Sequence, residues 1–187
     1  MVIYSMGASV DGFVADREGG FGWPGLTDEQ FRFHLDEVRG LGTYLMGRRL
    51  YEAMRVWETD PAMRSDPDRT AFADVWDALP KVVFSRTLER VEGNARLAEG
   101  TVAEEVAAAR DRADGHVSIG GATLAAEAVE HGLVDRFHLF RYPVVVGGGT
   151  PYLPPVAETI ALDRVETRSF GGPVVLECYE NAGARPA

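Results

Sequence analysis

The order of strand, glycine turn and helix is clearest in Thr43-Tyr44-Leu45-Met46-Gly47-Arg48-Arg49. Residues 43–46 predict a short buried strand, and Gly47 turns the chain into a helix that begins at Arg48. The same order returns in His116-Val117-Ser118-Ile119-Gly120-Gly121-Ala122. Between them, Lys81-Val82-Val83-Phe84-Ser85 is a continuous apolar strand, which is typical of a sheet covered on both faces.

Working outward from these strands, helices and strands alternate as far as residue 146. We expect helices over 28–38, from 48, and over 69–78, 102–113 and 122–130, and further strands over 2–9, 135–146, 160–168 and 173–180. A polar loop is expected over 56–68. Because strands follow strands after residue 146, we predict a three-layer α/β fold: a mostly parallel sheet with an antiparallel C-terminal edge and helices on both faces. One domain is expected over 1–180, followed by a disordered tail over 181–187.

Two helix starts carry the pattern of a capping box. Thr27 is predicted to cap the first helix, with Gln30 completing the box. Thr101 and Glu104 repeat the pattern before the helix at 102.

Composition excludes several classes of function. The chain has 187 residues and a formal net charge of −10, which argues against nucleic acid as a partner. Lys81 is the one lysine and no GxxxxGK[ST] loop surrounds it, so Schiff-base and P-loop chemistry are set aside. A single cysteine, Cys178, is interpreted as a strand residue, and no Cys/His cluster has zinc-ligand spacing. Since we see no signal peptide or apolar span, a cytoplasmic protein with no membrane partner is expected.

Three strand ends carry groups that suit a nucleotide. Glycine at such an end lets the backbone approach a phosphate, as at Gly47 and at Gly120-Gly121. At the third end, Ser85-Arg86-Thr87 offers two hydroxyls and a guanidinium, and Arg86 could pair with the 2′-phosphate that distinguishes NADP from NAD. The alternative is a set of tight turns with solvated arginines, and no G-x-G-x-x-G fingerprint occurs.

One carboxylate falls on an otherwise apolar helical stripe. Asp28, Phe31, Leu35 and Val38 are spaced to share one helix face. Asp28 could then stand at the mouth of an apolar pocket walled by residues 23–24, Trp23 and Pro24, where desolvation would raise its pKa and suit it to proton transfer. The alternative is a first-turn acid that favours the helix dipole. Surface or core roles are expected for the four histidines.

Asp11-Gly12, after the first strand, predicts a turn by default. A polar loop at that strand end would also face the crevice at the other strand ends, which makes Asp11 a candidate for substrate binding.

Taken in order, these motifs resemble the dihydrofolate reductase superfamily. The resemblance is to the branch that contains the reductase domain of the bacterial riboflavin-biosynthesis deaminase–reductase, and it covers about residues 2–180. It is carried by residues 9–15, Trp23, residues 46–52, 84–88 and 118–122, and by the later stretches 132–136 and 143–149.

The resemblance implies an eight-stranded mixed sheet, NADPH as hydride donor and a flat heterocyclic substrate. Gly47, Arg48 and Arg49, with Ser85, Arg86 and Thr87, would hold the adenosine phosphates. The pyrophosphate and nicotinamide side would fall to Gly120, Gly121, Ala122 and Thr123, with Phe13 and Val14 beside the nicotinamide. Asp28 stands at the spacing of the substrate carboxylate, and homodimers are common in this branch.

The expected function is therefore an NADPH-dependent reductase of a pterin- or aminopyrimidine-like substrate, with Asp28 catalytic and Asp11, Trp23 and Phe31 at the substrate. Hydride transfer would be direct, without a metal. Two alternatives stay open: the 5-amino-6-(5-phosphoribosylamino)uracil reductase of riboflavin biosynthesis, and a non-catalytic nucleotide-binding module. Leu50 replaces the threonine usual in the family, so one phosphate-binding hydroxyl is missing.

Overall fold

A computed structural model describes residues 1–23, 26–112 and 114–184. The strands are β1 (Val2–Ser9), β2 (Phe13–Ala15), β3 (Leu41–Gly47), β4 (Lys81–Phe84), β5 (Ala95–Leu97), β6 (His116–Gly120), β7 (Arg136–Tyr142), β8 (Thr150–Pro151), β9 (Leu162–Ser169) and β10 (Val175–Asn181). The helices are α1 (Asp28–Arg39), α2 (Arg48–Met54), α3 (Val56–Thr59), α4 (Pro67–Ala78), α5 (Val102–Arg112) and α6 (Ala122–Glu130). Two 3₁₀ turns, Pro61–Arg64 and Ala182–Ala184, complete the list.

Eight strands form one sheet in the order β5-β4-β3-β6-β1-β7-β10-β9. The pairs from β5 to β7 are parallel, and β10 is antiparallel to both β7 and β9. The predicted sheet, mostly parallel with an antiparallel C-terminal edge, is confirmed. The short strands β5, β2 and β8 were not expected; β2 and β8 pair with each other outside the main sheet.

Helices cover both faces of the sheet, as predicted. Leu45 packs into one apolar cluster with α5 and α6, whereas its neighbour Met46 packs into a second cluster with α1 and α4. On β4, Val82 likewise belongs to the first cluster and Val83 to the second. Successive side chains of a strand point to opposite faces, so these central strands need apolar residues at every position.

The two predicted capping boxes differ in the structure. Thr101 and Glu104 exchange both hydrogen bonds of the box, with Glu104 Oε2 2.8 Å from Thr101 N. Thr27 accepts from Gln30 N at 3.2 Å as expected, but the Gln30 side chain does not return the bond. Its Nε2 instead donates to the Tyr142 hydroxyl at 3.3 Å, because Gln30 is buried against β7.

The polar loop predicted over 56–68 is wrong, because its prolines and aspartates begin helices. Asp60 accepts from Ala62 N at the start of the 3₁₀ turn, and Asp66 accepts from Arg69 N at the start of α4, whose first residue is Pro67. Proline is well suited to the first position of a helix, where its missing N–H costs nothing.

Two other boundaries also change. The strand predicted over 135–146 ends at Tyr142, and the last strand, predicted to end at 180, extends to Asn181 with a 3₁₀ turn after it. Cys178 is a buried residue of β10, as predicted. Across the described ranges, no helix combines the length and the apolar character that crossing a membrane requires.

Candidate functional site

The three strand ends predicted to hold a nucleotide lie side by side. Met46 of β3 pairs with Gly120 of β6, and Gly47 pairs with Phe84 of β4, so Ser85 follows at the same edge. Ligands of open α/β sheets bind outside the carboxyl ends of parallel strands. We call this edge the strand-end site, and it is formed by residues 47–49, 85–87 and 120–123.

Two helices begin at the strand-end site. Gly47 precedes α2 and Gly121 precedes α6, and among the described residues no side chain caps either start with a hydrogen bond. Gly121 has a φ of 88°, which glycine adopts without strain. Behind it, Ala122 is buried and Thr123 is exposed in the first turn of α6. The first N–H groups of both helices are therefore available to an anion.

Gly120 and Gly47 of this site differ in what an added side chain would meet. A Cβ atom at Gly120 would lie 2.5 Å from the Tyr44 hydroxyl oxygen and 2.5 Å from Leu50 Cδ2, so packing requires glycine there. A Cβ atom at Gly47 would meet nothing within 4 Å among the described residues beyond its chain neighbours. The space beside Gly47 is open to a ligand.

A hydrogen bond joins two of the strand ends directly. Arg48 Nη1 donates to Thr87 Oγ1 at 3.1 Å, and Arg48 also forms a 3.7 Å ion pair with Glu52. The Ser85 hydroxyl accepts the N–H groups of Thr87 and Leu88, so it shapes the loop in which it stands. The Arg49 and Arg86 side chains are exposed at this site.

Asp11 anchors a loop of the protein itself. Its carboxylate accepts from Val146 N at 3.2 Å and Gly147 N at 2.8 Å. A hydrogen bond from Ser9, followed by these backbone bonds, lowers the pKa of Asp11 below its usual value. The candidate substrate-binding carboxylate therefore already ties the β1–β2 turn to the loop after β7.

Phe13 and Val14, predicted beside the nicotinamide, lie on β2. Phe13 is half-buried and pairs with Pro151 of β8. Val14 is 8% exposed and belongs to the core cluster shared with α5 and α6.

A cavity of about 530 Å³ lies between α1 and the sheet. Aromatic, sulfur-bearing and polar side chains line it. They include Phe31, Trp57, Tyr142, Met6, Glu37 and His138. We call it the central cavity.

Two of the predicted substrate residues meet at this cavity. The Phe31 ring stacks on Trp57, with 5.8 Å between ring centroids, and both residues line the cavity. Trp23 packs its ring 5.4 Å from that of Tyr142, another lining residue. The other predicted wall, residue 24, lies outside the described residues.

Asp28 does not line the central cavity, and the expectation of a desolvated carboxylate is wrong. Phe31, Leu35 and Val38 are buried as the stripe predicts, but Asp28 is exposed. Asp28 is the first residue of α1, and helical spacing places a residue on a face without setting how deeply that end of the helix is covered. Asp28 borders a separate surface pocket beside Arg69.

A different carboxylate of α1 faces the central cavity. Glu37 Oε1 lies 2.5 Å from His138 Nδ1, and Glu37 Oε2 lies 3.0 Å from His34 Nδ1. The Ser5 hydroxyl donates to Glu37 Oε1 at 3.3 Å. Burial alone would raise the pKa of Glu37, but the hydrogen bonds from His138 and His34 hold it below its usual value. The lowered pKa makes Glu37 an ionised carboxylate at neutral pH, at the wall of the cavity.

Sequence reasoning missed this cluster. His34 and Glu37 are three residues apart on α1, and that spacing was the available signal. His138 comes from β7, 101 positions away from Glu37, and only the fold brings it there. In the part of the chain that the structure describes, no group of three or more His, Cys, Asp or Glu side chains is arranged to hold a metal ion.

Comparison with known proteins agrees with this architecture. The chain is 30% identical to the uncharacterized protein YyaP of Bacillus subtilis (strain 168) over 182 residues, which are 95% of this chain and 93% of the other. A putative riboflavin biosynthesis protein from Shewanella sp. PV-4 has a similar structure, with a TM-score of 0.76, 18% identity and coverage of 96% and 98% of the two chains. Dihydrofolate reductase from Enterococcus faecalis, complexed with NADP(H) and RAB-propyl, gives a TM-score of 0.62 at 16% identity, over 97% and 96% of the two chains.

These likenesses and the sheet order support the dihydrofolate reductase-like fold expected from the motifs. Residues 1–176 match the family described as the RibD C-terminal domain, and the chain therefore belongs to that family.

Proposed function

We propose that this chain is an NADPH-dependent reductase of a small, flat heterocycle, such as a pterin or an aminopyrimidine. The observation that carries the proposal is the alignment of three strand ends, two of which open into uncapped helix starts. This strand-end site lies at the edge of the sheet whose α1 face holds the central cavity. The strand-end site would thus take the dinucleotide, and the central cavity would take the ring of the substrate.

The residues at the strand-end site fit the phosphates of NADPH. The open space at Gly47 and the free N–H groups at the start of α6 suit the pyrophosphate. Arg48, Arg49 and Arg86 supply guanidinium groups within a chain of net charge −10, and Arg86 is our candidate for the 2′-phosphate. The Enterococcus relative, whose structure contains NADP(H), supports this reading through its fold.

The central cavity suits a planar substrate. Phe31, Trp57 and Tyr142 present ring surfaces, and aromatic walls hold flat ligands by burial and offset stacking. When bound, NADPH supplies a hydride. The chain then has three tasks: to hold the two rings in contact, to exclude water with these apolar walls, and to provide a proton.

Titration of purified protein with NADPH tests the cofactor. We expect enhanced dihydronicotinamide fluorescence and a rise in Tm with NADPH at micromolar concentrations, because binding to the native state alone stabilises it. Consumption of NADPH is then followed at 340 nm with pterins, aminouracils and quinones. Absence of both fluorescence change and Tm shift at about 1 mM NADPH, far above an ordinary binding constant, contradicts the proposal.

Membership of the RibD C-terminal domain family favours one narrower alternative, reduction of 5-amino-6-(5-phosphoribosylamino)uracil. That compound belongs in the panel, beside its dephosphorylated form. Turnover of the phosphorylated form alone supports the riboflavin step, whereas binding of NADPH without any turnover supports a non-catalytic module.

A further inference from the structure

One ring nitrogen of His138 contacts Glu37, and the other has no hydrogen-bond partner in the part of the chain that the structure describes. His138 is 7% exposed, and its Nδ1 is the atom that lies 2.5 Å from Glu37. Nε2 is buried and forms no hydrogen bond within the described residues. A buried polar atom left unpaired is costly, and native proteins pair nearly all such atoms. Because His138 lines the central cavity, an occupant of that cavity is the available partner.

The state of Glu37 determines what Nε2 can do. An ionised carboxylate accepts hydrogen bonds only, so the proton on the Glu37 side of the ring is on Nδ1 of His138. When the ring carries a second proton, that proton is on Nε2. In the doubly protonated ring, Nε2–H is a proton donor that points away from Glu37.

His138 also lies in a cross-strand row of the sheet that leads to the strand-end site. Ser5 of β1 pairs with His138, and Tyr4 pairs with Ile119 of β6. The row that contains His138 and Ser5 therefore reaches Gly120 of the strand-end site, about 10 Å away over two strand spacings. A bicyclic heterocycle with a hydrogen bond at its far edge can bridge this distance.

We propose, on the basis of the reductase function above, that His138 is the proton donor of the reaction and Glu37 its positioning residue. Hydride from the dihydronicotinamide forms a C–H bond at the carbon of a substrate C=N bond. The π electrons of that bond pass to the nitrogen, which takes the proton from Nε2 and leaves His138 neutral. The nicotinamide is oxidised, the substrate is reduced, and His138 regains a proton from solvent after the product leaves.

Several groups around His138 bear on its protonation. Glu37 and the 26% exposed side chain of His34 face it from α1, and Cys178 is its cross-strand partner on β10. Burial raises the pKa of the Cys178 thiol to about 12, so the thiol stays neutral. Positive charge comes from Arg136, two residues away on β7, and from His116 on β6 when that ring is protonated. Glu37 is the anion in direct contact with the ring.

The first test needs no cofactor. Long-range ¹H–¹⁵N spectra of the histidine rings are recorded on the ¹⁵N-labelled chain, with His138→Gln to assign the signals. We expect a proton on Nδ1 and a clear shift of the Nε2 signal when 5,6-diaminouracil or 6,7-dimethyl-7,8-dihydropterin is added. An Nε2 signal that does not move while either compound binds, or failure of both compounds to bind, overturns the proposal.

The second test follows turnover of a panel substrate against pH. His138→Gln keeps a hydrogen-bond donor but cannot transfer a proton, so we expect kcat to fall about 100-fold, KM to change little and the pH profile to flatten. In Glu37→Gln, the ring loses the carboxylate that orients it, so we expect kcat to fall about tenfold while KM changes little. His131→Gln, at the exposed end of α6, is the matched control and should behave as the native chain.

A kcat of His138→Gln within about threefold of the native value, with an unchanged pH profile, also overturns the proposal. The tests distinguish failure of the reductase function from failure of the proposal for His138. If NADPH does not bind, the reductase function is contradicted, while the cofactor-free spectra still report whether His138 contacts a heterocycle.

Discussion

The guanidinium of Arg96 holds the carboxylate of Glu105 through two hydrogen bonds, although the Arg96 side chain is 42% exposed and that of Glu105 only 6%. Glu105 Oε1 also accepts the N–H of Glu99 at 2.8 Å. The Arg96 bonds, aided by the backbone and opposed by burial, lower the pKa of Glu105 to about 2. This pair ties the edge of β5 to the first turns of α5.

We expect the pair to make stability depend on pH in the acid range. The folded-state pKa is depressed, so the stabilisation is present above the ordinary value of 4.5 and is lost as pH falls toward 2. Glu105→Gln should lower the free energy of unfolding by about 2 kcal/mol at pH 7, since one charged partner of a hydrogen-bonded pair is removed. Urea denaturation from pH 7 to 2.5 measures this. The exposed Glu130→Gln is the control, and a difference between Glu105→Gln and native protein that is as large at pH 2.5 as at pH 7 contradicts the prediction.

Lys81 should be essential for stability rather than for chemistry. Its side chain is 1% exposed, and Nζ donates to Trp76 O at 2.5 Å and lies 3.1 Å from Glu58 Oε1. Lys81→Met leaves the Glu58 carboxylate, whose side chain is 11% exposed, without its cation and should lower the free energy of unfolding by about 3 kcal/mol. Adding Glu58→Gln should recover part of the loss in a double-mutant cycle. Strictly additive losses would show that the two charges do not interact.

Gly47→Ala separates folding from cofactor binding. The new methyl group enters open space and should cost about 1 kcal/mol or less as a change at a helix N-cap. It also occupies the space where we expect a phosphate, so the Kd of NADPH should rise about tenfold, or about 1.4 kcal/mol. Fluorescence titration and urea denaturation measure the two quantities. Gly183→Ala, in the C-terminal 3₁₀ turn, should change neither, and native-like NADPH binding by Gly47→Ala refutes the placement.

Arg86→Ala should change the choice of cofactor. If the exposed guanidinium pairs with the 2′-phosphate, the Kd of NADPH rises about tenfold or more while that of NADH stays within about twofold. The matched control is Arg90→Ala, an exposed arginine four residues further along the same loop. Equal losses for the two cofactors would exclude the 2′-phosphate role.

The strand ends could be predicted because their information is local. Gly47 and Gly120-Gly121 each follow an apolar strand directly, and a parallel sheet brings such ends to one edge whatever the details of packing. The apolar stripe of α1 was equally accessible, since Phe31, Leu35 and Val38 follow helical spacing and are buried.

Periodicity could not determine the depth of each side chain along that stripe. Asp28 has the correct spacing but is exposed at the start of α1, whereas Glu37 lies at the flank of the stripe and is enclosed by β1 and β7. Which carboxylate faces the cavity depends on where the helix axis crosses the strands. That relation arises from long-range packing between segments that lie about 100 residues apart, and no local pattern contains it.

Because Lys81 is enclosed, its chemical modification reports local unfolding of the chain around it. Since it is the one lysine, acylating reagents find their lysine target inside the folded protein, behind Trp76 and Glu58. Acylation at residue 81 then requires the β4 edge to open. The rate at which one acetyl mass appears on the peptide containing residue 81 therefore measures how often this half of the sheet unfolds under native conditions.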